Sequence, residues 1–177
     1  AAFQRLRSLL GVTELSFEAS VALQQGRESS DMRMVGAGDA AGKSGAFFFF
    51  TAGQHYLLKS STTRDVNALL KILPSYVSHI EAMPTSLLPR YVGVFVLHHA
   101  GSTINFLCMT NAFAGRHEVH VRYDLKGSTH GRLASPHERA KARPVFKDLN
   151  WTAEARQLVA PDAGLLSSLS ADAAFLK

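Results

Sequence analysis

Cysteine is nearly absent: Cys108 is the only one in 177 residues. A single thiol excludes an intrachain disulfide framework and suits a reducing compartment, and its place in the apolar run INFLCM predicts core packing. Long apolar runs are missing as well. The longest, 46–50 and 91–97, fall far short of the roughly 20 residues a membrane-spanning helix needs. The start, AAFQRLRSLLGV, has no charged segment set apart from an apolar one, so it reads as an amphipathic helix and not as a secretory signal. It also lacks Met, which leads us to expect a piece of a longer protein. Acidic residues are outnumbered, 14 against 19 Lys and Arg, and the net charge of +5 favours phosphates, acidic lipid headgroups or nucleic acid without choosing among them. No repeat and no low-complexity block is present.

What is there orders itself into elements. Phe3, Leu6, Leu9 and Leu10 recur at helical spacing with Gly11 as a stop. Residues 24–41 are polar and glycine-containing, a surface connection. Residues 46–51 form an aromatic strand, 52–55 a turn, and 56–58 a second strand ending on Lys59, together a hairpin with a glycine loop at its mouth. From 64 to 83, Val66, Leu69, Leu70, Leu73, Val77 and Ile80 keep helical spacing, with Pro74 expected to end or kink the helix. Two strands follow, 91–98 and 103–110, joined by Ala100-Gly101-Ser102. Residues 118–126 then alternate, Val119, Val121, Tyr123 and Leu125 on one face and His120, Arg122, Asp124 and Lys126 on the other. The tail from Asp162 sets Leu165, Leu166, Leu169, Ala173 and Leu176 on one helical face. Together these predict an α+β fold, a mostly antiparallel sheet with packed helices.

Gly42-Lys43-Ser44 invites a P-loop reading, which fails: the required upstream position is Ala37, Gly38 is one residue too near, and a strand follows where a helix is needed. A glycine loop opening a hairpin, with Lys59 on the next strand, instead fits the way kinases cover nucleotide phosphates. By itself that pairing is equally a plain hairpin. In RYDLKGST, residues 122–129, Arg122, Asp124 and Lys126 would offer two cations for phosphate and a carboxylate between them, although charged alternation on a solvated strand remains open. From Lys126 to Lys147 lie Arg132, Arg139, Lys141 and Arg143 against Glu138 and Asp148, a basic tract. Only Phe146 interrupts it, too few aromatics for single-strand nucleic-acid binding, so no nucleic-acid partner is expected. His117 and His120, at odd spacing, would face opposite sides of a strand and suit metal poorly, as would His98 and His99. Trp151 reads as a core or lobe-interface anchor and the phenylalanine run as sheet core.

DLKGST after a strand, with GKSGAFFFFT, YLLK, LLKILPSYVSHI, SLLPRYVGVFVL, LASPHERA and FKDLNW in order, closely resembles the phosphatidylinositol phosphate kinase family. The resemblance implies the N-terminal lobe of a kinase-related fold over 1–150 and the start of a C-terminal lobe over 151–177. It implies ATP and Mg2+ as cofactors. It also implies a phosphoinositide headgroup and anionic membrane as partners, a location at the cytoplasmic face of membranes, and leaves a homodimer open. Gly42, Lys43, Ser44, Gly45 and Ala46 would cover phosphate, with Phe47 beginning the strand beneath the nucleotide. Lys59 would be the ATP lysine, with Asp65 as its candidate partner. Met109, Asn111 and Ala112 would edge the adenine pocket, Arg122 and Asp124 would line the cleft, and Lys126 would approach phosphate on ATP or lipid. Lys59, Asp124 and Lys126 are thus the implied catalytic set. Lys126, Arg132, Arg139, Lys141 and Arg143 would face the headgroup and membrane, though Leu133 stands where a second basic residue is usual. The family's catalytic and magnesium-binding aspartates, beside a motif resembling MDYSLL, would fall beyond Lys177. No metal ligand is therefore expected in this chain, nor turnover by this segment alone. A non-catalytic anionic-lipid-binding module or degenerate kinase is the alternative.

Overall fold

The computed structural model describes residues 1–21, 33–35, 46–99, 101–115, 118–154 and 163–177. They form two units, Ala1–Ala114 with Ala163–Lys177, and Gly115–Asp162.

The first unit is built on five strands: β1 (Arg33–Val35), β2 (Phe48–Phe50), β3 (Tyr56–Ser61), β4 (Tyr91–His99) and β5 (Ser102–Thr110). Their order is β1-β2-β3-β5-β4, with every neighbouring pair antiparallel. The predicted antiparallel α+β layout is therefore observed. The turn between β4 and β5 contains Gly101 at φ 75, a left-handed conformation that glycine adopts at little cost.

Alternation along the strands gives the sheet two apolar faces. On one, Phe17 of α2 (Glu14–Val21) packs with Tyr56, Leu58, Val92, Phe106 and Cys108. Burial pushes the Cys108 thiol up to about 12, so it stays a neutral packing group, as its apolar run predicts. On the other, Val66 and Leu69 of α3 (Thr63–Ala82) pack on Leu107, with Val94 and Met109 alongside. Farther along α3, Leu73, Tyr76 and Ile80 meet Leu6 of α1 (Ala2–Leu9) and Phe175 of α6 (Ala163–Phe175). Buried Arg7 ties α1 down: its guanidinium forks onto Glu14 at 2.8 and 2.6 Å and reaches Val92 O at 2.6 Å.

Four expectations change. Pro74, expected to end or kink the helix, does not end α3, which runs 20 residues through it. A mid-helix proline costs about 3 kcal/mol, and apolar burial on both sides of it, Leu69 and Leu73 before and Tyr76 and Ile80 after, offsets that. The phenylalanine run is only partly core: Phe49 packs edge-on against Phe106 at 5.8 Å, while Phe47, ahead of β2, is 47% exposed. The leucine stripe of α6 is not its buried face. Leu166, Leu169 and Leu176 are exposed, and Ser168 and Asp172 are the buried residues, because the neighbouring 83–90 segment offers polar partners. Ser168 meets Thr85 Oγ1 at 2.8 Å, and Asp172 meets His79 Nε2 at 2.7 Å and the Leu87 amide at 2.6 Å.

The fourth change lies in the second unit. The strand expected over 118–126 is limited to β6 (Arg122–Asp124), because its partner β7 (Val145–Lys147) offers three rungs, in parallel register. Around them lie α4 (Pro136–Arg139) and α5 (Asp148–Ala153). Tyr123 is wedged between Phe146 at 5.5 Å and Trp151 at 5.0 Å, so Trp151 is an anchor of this small core. Buried Asn150 accepts the Ala134 amide at 2.9 Å and the Lys147 amide at 3.2 Å, fixing the chain on either side.

Candidate functional site

Lys59 sits in the middle strand of the first unit's sheet, opposite Phe48 on β2 and Leu107 on β5. Period-two alternation gives it the face that α3 covers, together with Phe48, Phe50, Leu57 and Met109. The sequence reading had Phe47 begin this strand; β2 begins one residue later at Phe48, which pairs with Lys59, and Leu57 and Phe50 are further neighbours on that face that strict alternation could have found. Gly42, Lys43, Ser44 and Gly45 lie outside the described residues. Where description resumes, Ala46 is buried and Phe47 is tied to Ser60, its amide donating to Oγ and its carbonyl accepting the Ser60 amide, both at 2.8 Å.

Asp65, the candidate partner of Lys59, forms no salt bridge with it among the described residues, although the Lys59 charge helps to lower its carboxyl after the Thr62 bonds. It closes a capping box at the start of α3, where its carboxylate accepts Thr62 Oγ1 at 2.8 Å and the Thr62 amide at 3.3 Å. Those Thr62 bonds hold its carboxyl below the usual range. Beyond the end of β5, Asn111 continues the pairing by donating its amide to His55 O at 2.8 Å, and its side chain bridges Gln54 O at 2.8 Å and the Phe113 amide at 3.0 Å. Met109 points into the α3 packing, and Ala112 is exposed.

In the second unit Arg122, Asp124 and Lys126 stand on or just after β6, and a closed ring of contacts joins Asp124 and Lys126 to two more residues. Lys126 Nζ is 2.9 Å from Asp124 Oδ1. Arg132 Nη2 lies 3.2 Å from Asp124 Oδ2 and also donates to the Asp124 carbonyl. Arg132 Nε donates to Asp148 Oδ2 at 2.7 Å, and Asp148 Oδ1 accepts the amides of Lys126 at 2.9 Å and Gly127 at 2.8 Å. The charges respond accordingly. Arg132, then the loop amides, hold the Asp148 carboxyl far below the usual range against the penalty of burial, and Lys126, then Arg132, lower that of Asp124. From sequence Asp148 was named only as an acid set against the basic tract, with no site role, though it stands in the FKDLNW run.

This ring changes the meaning of the basic tract. Arg132, expected to face the headgroup, is buried and engaged by two carboxylates. Lys141 pairs with Glu138 at 2.8 Å and Arg143 with Glu118 at 3.1 Å, while Arg139 is exposed. Cations that read as a run in sequence are thus largely neutralised in space. Among the described residues no group of three or more His, Cys, Asp or Glu side chains is placed to hold a metal ion, and no helix is long and apolar enough to cross a membrane.

Residues 30–177 match the protein family described as Phosphatidylinositol-4-phosphate 5-Kinase. The chain belongs to that family. Among curated relatives it is 36% identical over 151 residues to a probable phosphatidylinositol phosphate kinase of Dictyostelium discoideum, covering 85% of this chain and 21% of that protein. It is 32% identical over 150 residues to a type-1 phosphatidylinositol 4-phosphate 5-kinase of Drosophila melanogaster, covering 85% of this chain and 18% of the relative. The human type-1 beta phosphatidylinositol 4-phosphate 5-kinase is likewise 32% identical over 150 residues, with 85% and 26% covered. The chain therefore spans about a fifth to a quarter of the length of these phosphatidylinositol phosphate kinases.

Proposed function

We propose that this chain is the nucleotide-holding part of a phosphatidylinositol phosphate kinase, and that the longer protein transfers the ATP γ-phosphate to an inositol ring hydroxyl of a phosphoinositide. The observation that carries the proposal is Lys59, central in a five-stranded antiparallel sheet and on the same face as Phe48, Leu57, Met109 and helix α3. That is the setting in which a strand-borne lysine reaches nucleotide phosphates while apolar side chains flank the base. On this reading residues 1–150 act as the ATP-gripping lobe of a kinase-related fold and 151–177 as the beginning of the next lobe. Residues 42–46 cover phosphate and the main chain at 109–112 edges the adenine.

Mg2+ would supply charge neutralisation on the phosphates. In this chain the roles left are to bind and orient: Lys59 neutralises phosphate, Asp124 holds the Lys126 ammonium, and Lys126 meets phosphate when released from it. The proposed partners are a phosphoinositide headgroup and the anionic cytoplasmic face of a membrane, reached by Lys126, Arg139, Lys141 and Arg143. Arg132 contributes by holding Asp124 in place. A simple lipid-docking module is the weaker reading, because four of the tract's cations are already paired with acids.

Lys59→Met tests the assignment. Binding of a fluorescent ATP analogue with Mg2+ is expected to weaken about tenfold or more, the loss of one charge-assisted phosphate contact. Unchanged binding by the folded variant would remove Lys59 from the site.

A further inference from the structure

Asp148 opens α5 directly after β7, and its two carboxylate oxygens serve different customers. Oδ1 receives the amides of Lys126 and Gly127, at 2.9 and 2.8 Å, while Oδ2 receives Arg132 Nε at 2.7 Å. Successive backbone N–H groups closing on one oxygen form a small anion nest, and here the protein supplies the anion. The loop needs such a fastening. Gly127 and Gly131 stand at φ 69 and 65, and glycine backbone has no preference of its own that would hold those turns. Arg132, once fixed by Asp148, reaches Asp124, whose Oδ1 holds Lys126 Nζ at 2.9 Å.

Asp148 therefore touches Lys126 along two routes, directly at its backbone and through Arg132 and Asp124 at its ammonium. Resting on the reading above, in which Lys126 meets phosphate, we propose that Asp148 is a positioning residue that sets where Lys126 stands without itself contacting the phosphate. The assignment is specific to the carboxylate. Asn at 148 keeps an acceptor for the loop amides, but its amide nitrogen would face the Arg132 Nε–H donor to donor, opening the route through Asp124. A residue needed only for folding would lower stability; a positioning residue makes the effect of Lys126 conditional on its own presence.

The test is a double-mutant cycle on the 177-residue chain, with Lys126→Ala, Asp148→Asn and the pair. Two probes are titrated: MgATP, and phosphatidylcholine vesicles with or without phosphatidylinositol 4-phosphate. The arms tell a nucleotide phosphate from a headgroup phosphate. Asp148→Asn is expected to weaken, by about fivefold or more, whichever probe Lys126→Ala weakens, and the double variant to be within about twofold of Lys126→Ala alone. Additive losses, or an Asp148→Asn protein that binds as the parent does, would overturn the positioning role. If Lys126→Ala weakens neither probe, the phosphate role of Lys126 itself is what fails. Should Asp148→Asn not fold, Arg132→Gln decides, since it opens the same route to Asp124 from its other end: it is expected to weaken the probe that Lys126→Ala weakens and to add no more than about twofold to Lys126→Ala, whereas parent-like binding or additive losses refute the proposal.

Discussion

Asp148 and Asp124 carry a pH dependence whose sign follows from their partners. Both carboxyls are held below their ordinary values, Asp148 chiefly by Arg132 and Asp124 chiefly by Lys126. A group with a depressed folded pKa contributes stability that is present above its unfolded value, about 3.9, and is lost as pH falls through the lowered one. The second unit should therefore hold its stability from pH 7 to about 5 and lose it progressively below about 4. Trp151, the only tryptophan, packs on Tyr123 in that unit and reports on it. Urea midpoints followed by tryptophan fluorescence should fall with acid, and less steeply in Asp148→Asn; midpoints that stay level down to pH 2.5 would contradict the ring. Asp148 showed in the sequence only as an acid beside the basic tract, and its role did not, because its partners are 16 to 22 residues away, beyond any periodicity. Lys59 was legible because a strand and its neighbouring turn are local.

Helix α6 shows what an element adds. Its leucines recur at helical spacing, yet the side that docks is Ser168, Asp172 and Phe175, with Phe175 stacked on His79 at 4.6 Å. Burial alone would raise the Asp172 carboxyl, but hydrogen bonds from Ser86, His79 and the Leu87 amide together outweigh it and bring it below its usual value. Removing that carboxylate leaves buried donors without an acceptor, which costs about 1–3 kcal/mol. Asp172→Ala should thus speed hydrogen exchange across Ala163–Phe175, whereas Leu169→Ser, on the exposed side, should change stability by no more than about 0.5 kcal/mol. Equal effects of the two would mean that the leucine stripe is the packed face after all. A hydrophobic pattern is a reliable sign that a helix forms and a weaker sign of which side it buries, because a few well-matched polar partners can compete with exposed leucines.

For the whole molecule, the excess of +5 stands because it already counts every acid, but the cations of the 126–147 tract overstate what that stretch offers a membrane, since most of them are paired with acids beside them. Binding to anionic vesicles is expected to exceed binding to neutral ones and to weaken with salt. Glu118→Gln, which releases Arg143, should strengthen anionic-vesicle binding by about 1 kcal/mol, the contribution of one added cation near the surface. Co-sedimentation checks both, and equal binding to neutral and anionic vesicles would remove the membrane from the proposal. The sequence by itself determined the family, the antiparallel α+β layout, the core role of Cys108 and the strand that carries Lys59, because each rests on short-range spacing or on motif order. Tertiary structure alone decided that Asp65 caps α3, that Arg132 turns inward, that α6 docks by its polar side and that Asp148 holds the Lys126 loop. The last three depend on which donor meets which carboxylate across 8 to 93 residues of chain, which no local pattern encodes, whereas the Thr62–Asp65 box is a contact three residues apart that the sequence reading passed over.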